Sequence, residues 1–190
     1  MLQDQSYHFL YALSSREKQE EYFKMKNKYE HAFSKEEKTA FQQKVLQDLE
    51  QFEDWKNAKL IFLPETGNTC LIEIAQQSGK EIVYIKKQTK ETIKNSLDKQ
   101  AMMKAEREKL YLAIDSMNTV KMAGVAGNQR KRLVEVLFED IVLTPEQEEY
   151  SKVFLDDSIF SGYTFLAAQY KINQVTNGNH SNIVLFNKQQ

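Results

Sequence analysis

The stretch Ala58–Lys87 constrains the fold more than any other. AKLIFLP is an unbroken apolar run of strand length, ETGNT is a turn composition, and CLIEIAQQSG carries apolar residues at helical spacing before Gly79. EIVYIKK then follows as a second run rich in β-branched and aromatic side chains. Strand, turn, helix and strand within about 30 residues make a βαβ unit, which calls for parallel strands joined by a crossover helix. The expectation is an α/β fold of Rossmann-like type, a mostly parallel sheet flanked by helices, with ligands at the carboxyl ends of its strands.

A second stretch, Val153–Thr164 (VFLDDSIFSGYT), fits such an end. Val153, Phe154 and Leu155 form a short buried-strand pattern that runs into Asp156 and Asp157. Hydroxyls follow at Ser158, Ser161 and Thr164, a turn at Gly162, and then a helical pattern from Phe165 to Val175. A strand that delivers two acids and a Ser/Thr/Gly turn to a helix N-terminus suits a phosphorylated polyol. Backbone N–H groups face the phosphate, glycine permits close approach, and carboxylates accept from sugar hydroxyls.

At these residues the chain resembles the type I phosphoribosyltransferases, closest in motif to the orotate enzymes. Asp156, Asp157, Ile159, Ser161, Gly162 and Thr164 match the family's ribosyl-phosphate loop, whereas Phe160 stands where a small residue is usual. The loop after the first core strand, Glu65, Thr66, Gly67, Asn68 and Thr69, occupies the place of the family's diphosphate-contacting loop. Lys86, Lys87 and Lys90 resemble its basic Arg-Lys-x-x-Lys pattern with Lys for Arg, a point charge in place of a planar fork.

The resemblance implies a phosphoribosyltransferase-like protein that transfers ribose 5-phosphate from 5-phosphoribosyl 1-diphosphate to a base or other acceptor. Mg2+ would enter with the substrate, and Asp156 and Asp157 would hold the ribose hydroxyls and contact the metal only indirectly. Ser158, Ser161, Gly162, Tyr163 and Thr164 would cradle the 5-phosphate, with Glu65, Thr66, Gly67, Asn68, Lys86, Lys87 and Lys90 near the diphosphate. The alternative is a catalytically reduced module that senses a nucleotide or pairs with another protein; Phe160 and a chain that stops soon after the strand Asn182–Phe186 favour it. LPETG at Leu63–Gly67 resembles a sortase signal, but more than a hundred residues follow it with no apolar segment and basic tail.

Elsewhere the sequence is helical in character. From Ser6 to His31 apolar and aromatic residues recur at helical spacing, and Ser34 with Glu37 three residues on marks the start of a helix running to Phe52. Residues 1–55 are therefore expected to form a helical arm or hood, serving as a cover over the sheet, a homodimer contact or a partner-binding arm. Residues 56–190 form the core with a helical insertion at about 90–147, whose Lys90–Met117 stretch is expected to be helical. Within it, Gly124 and Gly127 give flexibility beside Arg130, Lys131 and Arg132, which read as a closing lid over a diphosphate, a nucleic-acid or protein contact, or an ordinary surface loop.

Composition excludes several classes. Lys and Arg number 26 against 27 Asp and Glu, so the total charge carries no nucleic-acid footprint. The one cysteine, Cys70, forms no internal disulfide and reads as a helix-face core residue, although a helix N-terminus would lower its pKa. His8 and His31 have no second ligand at metal-site spacing. No run approaches the ~20 apolar residues that span a bilayer, and a soluble, cytoplasmic protein is expected.

Overall fold

The fold is that of a computed structural model, which describes residues 7–13, 24, 27–65, 69–159 and 162–188. The chain divides into two compact units. The first comprises Met1–Tyr84, Leu143–Phe160 and Gly178–Gln190, and the second Ile85–Val142 and Ser161–Asn177.

The first unit is built on a five-stranded sheet in the order β1-β5-β4-β2-β3, where β1 is Tyr7–Leu13, β2 Leu60–Pro64, β3 Glu81–Ile85, β4 Lys152–Ile159 and β5 Ser181–Lys188. β1 with β5, β5 with β4 and β4 with β2 are all parallel. Parallel strands are buried on both faces, which is why β2 is a continuous apolar run, buried throughout, with no alternation.

Helix α1 (Lys35–Leu49) starts where the sequence marks it. The Ser34 side chain accepts from the Glu37 N–H, and the Glu37 carboxylate accepts from the Ser34 N–H at 2.8 Å, closing a capping box. Short helix α2 (Glu53–Asn57) follows, then α3 (Thr69–Gln77) between β2 and β3. Val45 and Leu49 of α1, Trp55 of α2, and Leu71, Ile74 and Ala75 of α3 form one core with Ile61, Leu63, Val153, Leu155, Ile183 and Leu185 of the strands. Each such aliphatic or aromatic side chain contributes roughly 1.5–3 kcal/mol on burial. Trp55 also donates its indole N–H to Glu50 at 3.1 Å and carries the Lys80 ammonium over its ring. A further short helix, α7 (Pro145–Glu148), has Thr144 as its N-cap in a second capping box.

The N-terminal helical expectation is corrected over residues 7–13; residues 27–31 are helical, and residues 14–23, 25 and 26 lie outside the described residues. Residues Tyr7–Leu13 are a strand paired in register with β5, Tyr7 opposite Asn182 through Leu13 opposite Lys188. Their aromatic content favours a strand, and a spacing as short as Tyr7, Phe9, Leu10 and Leu13 satisfies helix and strand periods alike. The following helices lie against the sheet, with Val45, Leu49 and Trp55 wholly buried in the core of the first unit.

The second unit is helical: α4 (Lys90–Asp98), α5 (Lys104–Ser116), α6 (Arg130–Leu133) and α8 (Tyr163–Thr176). α4 packs on α5 and α6, and α6 on α8. The expected continuous helix Lys90–Met117 is broken at residues 99–103. Buried Ile93 and Leu97 lie one turn apart, as do Leu110 and Ile114, but the 13 residues from Leu97 to Leu110 turn a straight helix to about 220°, onto the far side. The break brings both pairs inside, and Arg107 and Arg132 donate to the carbonyls of Gln100 and Ala101 that it frees, each at 3.2 Å. Past α6, Phe138 forms an isolated antiparallel bridge with Lys87, so the apolar run LVEVLFEDIVL is neither a regular helix nor a long strand.

Candidate functional site

Strand order locates the place where an α/β sheet takes ligands. β2 leads through α3 outward to β3 at one edge, whereas the chain leaving β4 returns to β5 on the other side. β2 and β4 are neighbours, so the connections diverge between them, and the crevice outside the carboxyl ends of two such strands is the usual ligand position. The two loops that the sequence singles out follow these two strands. Glu65 is exposed directly after β2, Thr69 and Cys70 open α3, and Asp156, Asp157 and Ser158 belong to β4. Thr66, Gly67, Asn68, Phe160 and Ser161 lie outside the described residues.

The two aspartates occupy the strand itself instead of the loop beyond it. β4 continues its parallel pairing with β5 to Ile159 opposite Asn187, which holds Asp156 opposite Val184 and Ser158 opposite Phe186. The strand end expected at Leu155 is therefore four residues too early. Successive side chains alternate across a strand, so Asp157 shares the face of Val153 and Leu155 with α1 and α3, and Asp156 the face of Lys152 and Phe154. Asp156 is 5 % exposed and accepts the Asp157 N–H at 2.8 Å; Asp157 is half-buried. This alternation prevents both carboxylates from closing on one sugar from the same side.

The face of Asp157 carries a group of polar side chains that the sequence analysis did not single out. Tyr29, 2 % exposed, donates its hydroxyl to Glu73 of α3; Gln42 of α1 donates to Glu73 at 2.6 Å and to the Tyr29 oxygen; and Gln77 donates to Gln42. Burial, with the Glu73 hydrogen bond, pushes the Tyr29 hydroxyl pKa well above its ordinary value. A signal was present, because Gln42 lies three residues before Val45 and seven before Leu49, on the buried stripe of α1. Cys70 packs against the same core. Desolvation by burial pushes its thiol up to about 12, the Glu73 and Asp157 charges add to the rise, and a Tyr29 hydrogen bond opposes it. It is a neutral thiol at physiological pH, as its core position requires, and the start of α3 does not activate it.

The remaining predicted residues belong to the second unit. Lys86 is exposed and its carbonyl accepts from Glu139 at 2.8 Å. Lys87 is half-buried, and burial, with the neighbouring Lys121 charge, lowers its ammonium pKa. The Lys90 ammonium donates to the Asp115 carbonyl at 3.2 Å.

The glycine-flanked basic segment is folded, not an open loop. Met122–Gly124 and Gly127–Gln129 are 3-10 turns, Arg130 donates to the Val125 carbonyl at 3.0 Å, and Arg132 pairs with Glu106 at 3.2 Å while also holding Ala101. Lys131 is exposed. Gly162 takes φ 76° as the N-cap of α8, a left-handed conformation natural to glycine, and Tyr163 and Thr164 form the helix's first turn. Of the loop expected over residues 158–164, Ser158 and Ile159 belong to β4 and Tyr163 and Thr164 to α8.

Among the described residues no group of three or more His, Cys, Asp or Glu side chains is placed to hold a metal ion, and no helix is long and apolar enough to cross a membrane. The class that the fold defines is an α/β protein with a parallel sheet, helices packed on it, and a switch point between β2 and β4. No family model, curated protein or solved structure matches the chain.

Proposed function

We propose that the crevice at the carboxyl ends of β2 and β4 binds a phosphorylated pentose, in the manner of a phosphoribosyltransferase-like protein. One observation carries this reading: the strand that bears Asp156 and Asp157 is one of the two adjacent strands whose onward connections diverge. Asp157 is the acceptor for the ribose hydroxyls, since it is the half-buried member of the pair. Asp156, nearly enclosed, accepts the Asp157 N–H and so holds the strand backbone beside it.

A Mg2+ ion carried by the substrate's diphosphate fits this donor set, because Mg2+ keeps most of its waters and takes one or two protein carboxylates at most. It would neutralise the departing diphosphate, while the carboxylate of Asp157 stabilises positive charge that builds at the anomeric carbon. The products are then an acceptor carrying ribose 5-phosphate and free diphosphate.

A second reading, a module that binds a nucleotide without transferring its ribose, is favoured by the position of the two aspartates on opposite faces of β4. Two measurements separate the readings. Calorimetric titration with 5-phosphoribosyl 1-diphosphate, with and without Mg2+, reports binding, and diphosphate release with a panel of nucleobases reports transfer. Binding with release supports the enzyme; binding of this compound or of nucleoside monophosphates without release supports the module. No binding of either overturns both.

A further inference from the structure

The geometry points to a second binding site, at the amino ends of β4 and β5, for a small zwitterion that carries an ammonium and a carboxylate, as a free amino acid does. A cleft of about 370 Å³ lies there, at the opposite end of the strands from the proposed pentose site, and it is built entirely within the first unit. That volume is at the lower end of the range for small-molecule sites, roughly 300–1,000 Å³. Three separate segments supply the walls: α2, the stretch from the residues after α7 into the first residue of β4, and the turn into β5.

The chemistry of the lining selects the ligand. Asp54, Glu149, Ser151, Lys152, His180 and Ser181 bring charges of both signs and hydroxyls together, with no aliphatic wall to hold a greasy ligand. Lys152 is 7 % exposed, and its ammonium donates to the carbonyls of Glu148 at 2.6 Å and Tyr150 at 2.7 Å. An ammonium has three N–H donors, so one remains for a carboxylate in the cleft.

Asp54 is half-buried and Glu149 exposed, and both are acceptors for an ammonium. His180 is buried, edge-on to the Phe62 ring, and burial lowers its pKa to about 4, so the imidazole adds no charge at physiological pH. Two carboxylates disfavour a phosphate, and a fixed ammonium among the walls disfavours a bare cation. A molecule with one pole of each sign satisfies both.

The test is calorimetric titration of the full chain with individual L-amino acids at millimolar concentration, alongside two sets of analogues: amines that lack the carboxylate and acids that lack the amine. The account expects saturable binding of at least one amino acid, at least tenfold weaker binding of its two single-pole analogues, and at least a tenfold loss in Glu149→Gln. That side chain is exposed, so the variant keeps its fold, which circular dichroism verifies; Asp54→Asn gives the same loss from a different segment. No binding by any amino acid overturns the proposal, as does equal binding of the amine or acid analogue, or full affinity in both variants. Glu149→Gln leaves titration with 5-phosphoribosyl 1-diphosphate unchanged, so the failure of either site is distinguishable from failure of the other.

Discussion

Both ends of β4 carry charge, and they hold it differently. At the amino end the Lys152 ammonium is buried and tied to two backbone carbonyls, and a buried His180 lines the same cleft, whose members come from three separate segments. At the carboxyl end the charges are acidic and graded in exposure, from Asp156 nearly enclosed, through Asp157 half-buried, to Glu65 exposed after β2. A strand end that runs directly into its loop leaves a contiguous motif in the sequence. A cleft assembled from α2, residues 149–151 and the turn before β5 leaves none, and only the folded chain brings it together.

The largest effect tests whether the amino end depends on its anchor. Trp55→Ala removes a wholly buried indole from α2, the helix that also presents Asp54, and is expected to cost about 3–5 kcal/mol in urea denaturation. A loss under about 1 kcal/mol would mean that α2 is held by something other than this side chain.

Next in size is a pH effect belonging to His180. Its folded pKa, about 4, lies below its ordinary value of 6.5 because burial disfavours the charged ring. The unfolded chain therefore takes up a proton first, so the stabilisation is complete above pH 6.5 and is lost as pH falls toward 4, by on the order of 2–3 kcal/mol. Lys152, Asp54 and Glu149 also line this cleft, so the difference between wild type and His180→Gln, measured by denaturation across that window, isolates the imidazole. Parallel curves for the two proteins would refute it.

Smaller again is the expected change at the carboxyl end. Asp157→Asn should weaken binding of 5-phosphoribosyl 1-diphosphate by ~1–3 kcal/mol, the scale of a charged hydrogen bond, while Asp156→Asn should act mainly on stability because it disturbs the hydrogen bond to the Asp157 N–H. Equal loss of affinity in both variants would contradict their separation across the strand.

Much of the first unit was legible. Apolar runs at Leu60–Leu63 and Val153–Leu155, Gly79 after α3, and the Ser34 cap all carry local signals strong enough to survive in the fold. What escaped depended on distant partners. β1 is a strand because β5, at the other end of the chain, pairs with it, and β4 runs on to Ile159 for the same reason. In the second unit, Arg130 and Arg132 looked available for a diphosphate, yet the Val125 carbonyl and the Glu106 carboxylate take them up. The break between α4 and α5 was visible in the phase of Leu97 against Leu110, a signal outweighed by a stretch without glycine or proline.

Which end of β4 receives a phosphorylated pentose is read most directly from backbone amide chemical shifts during titration with 5-phosphoribosyl 1-diphosphate and Mg2+. The account predicts that the amides of Glu65, Asp157 and Ser158 shift with a common saturation curve while those of Ser151 and Ser181 stay in place. Shifts confined to Ser151 and Ser181, or none at either end, would contradict it.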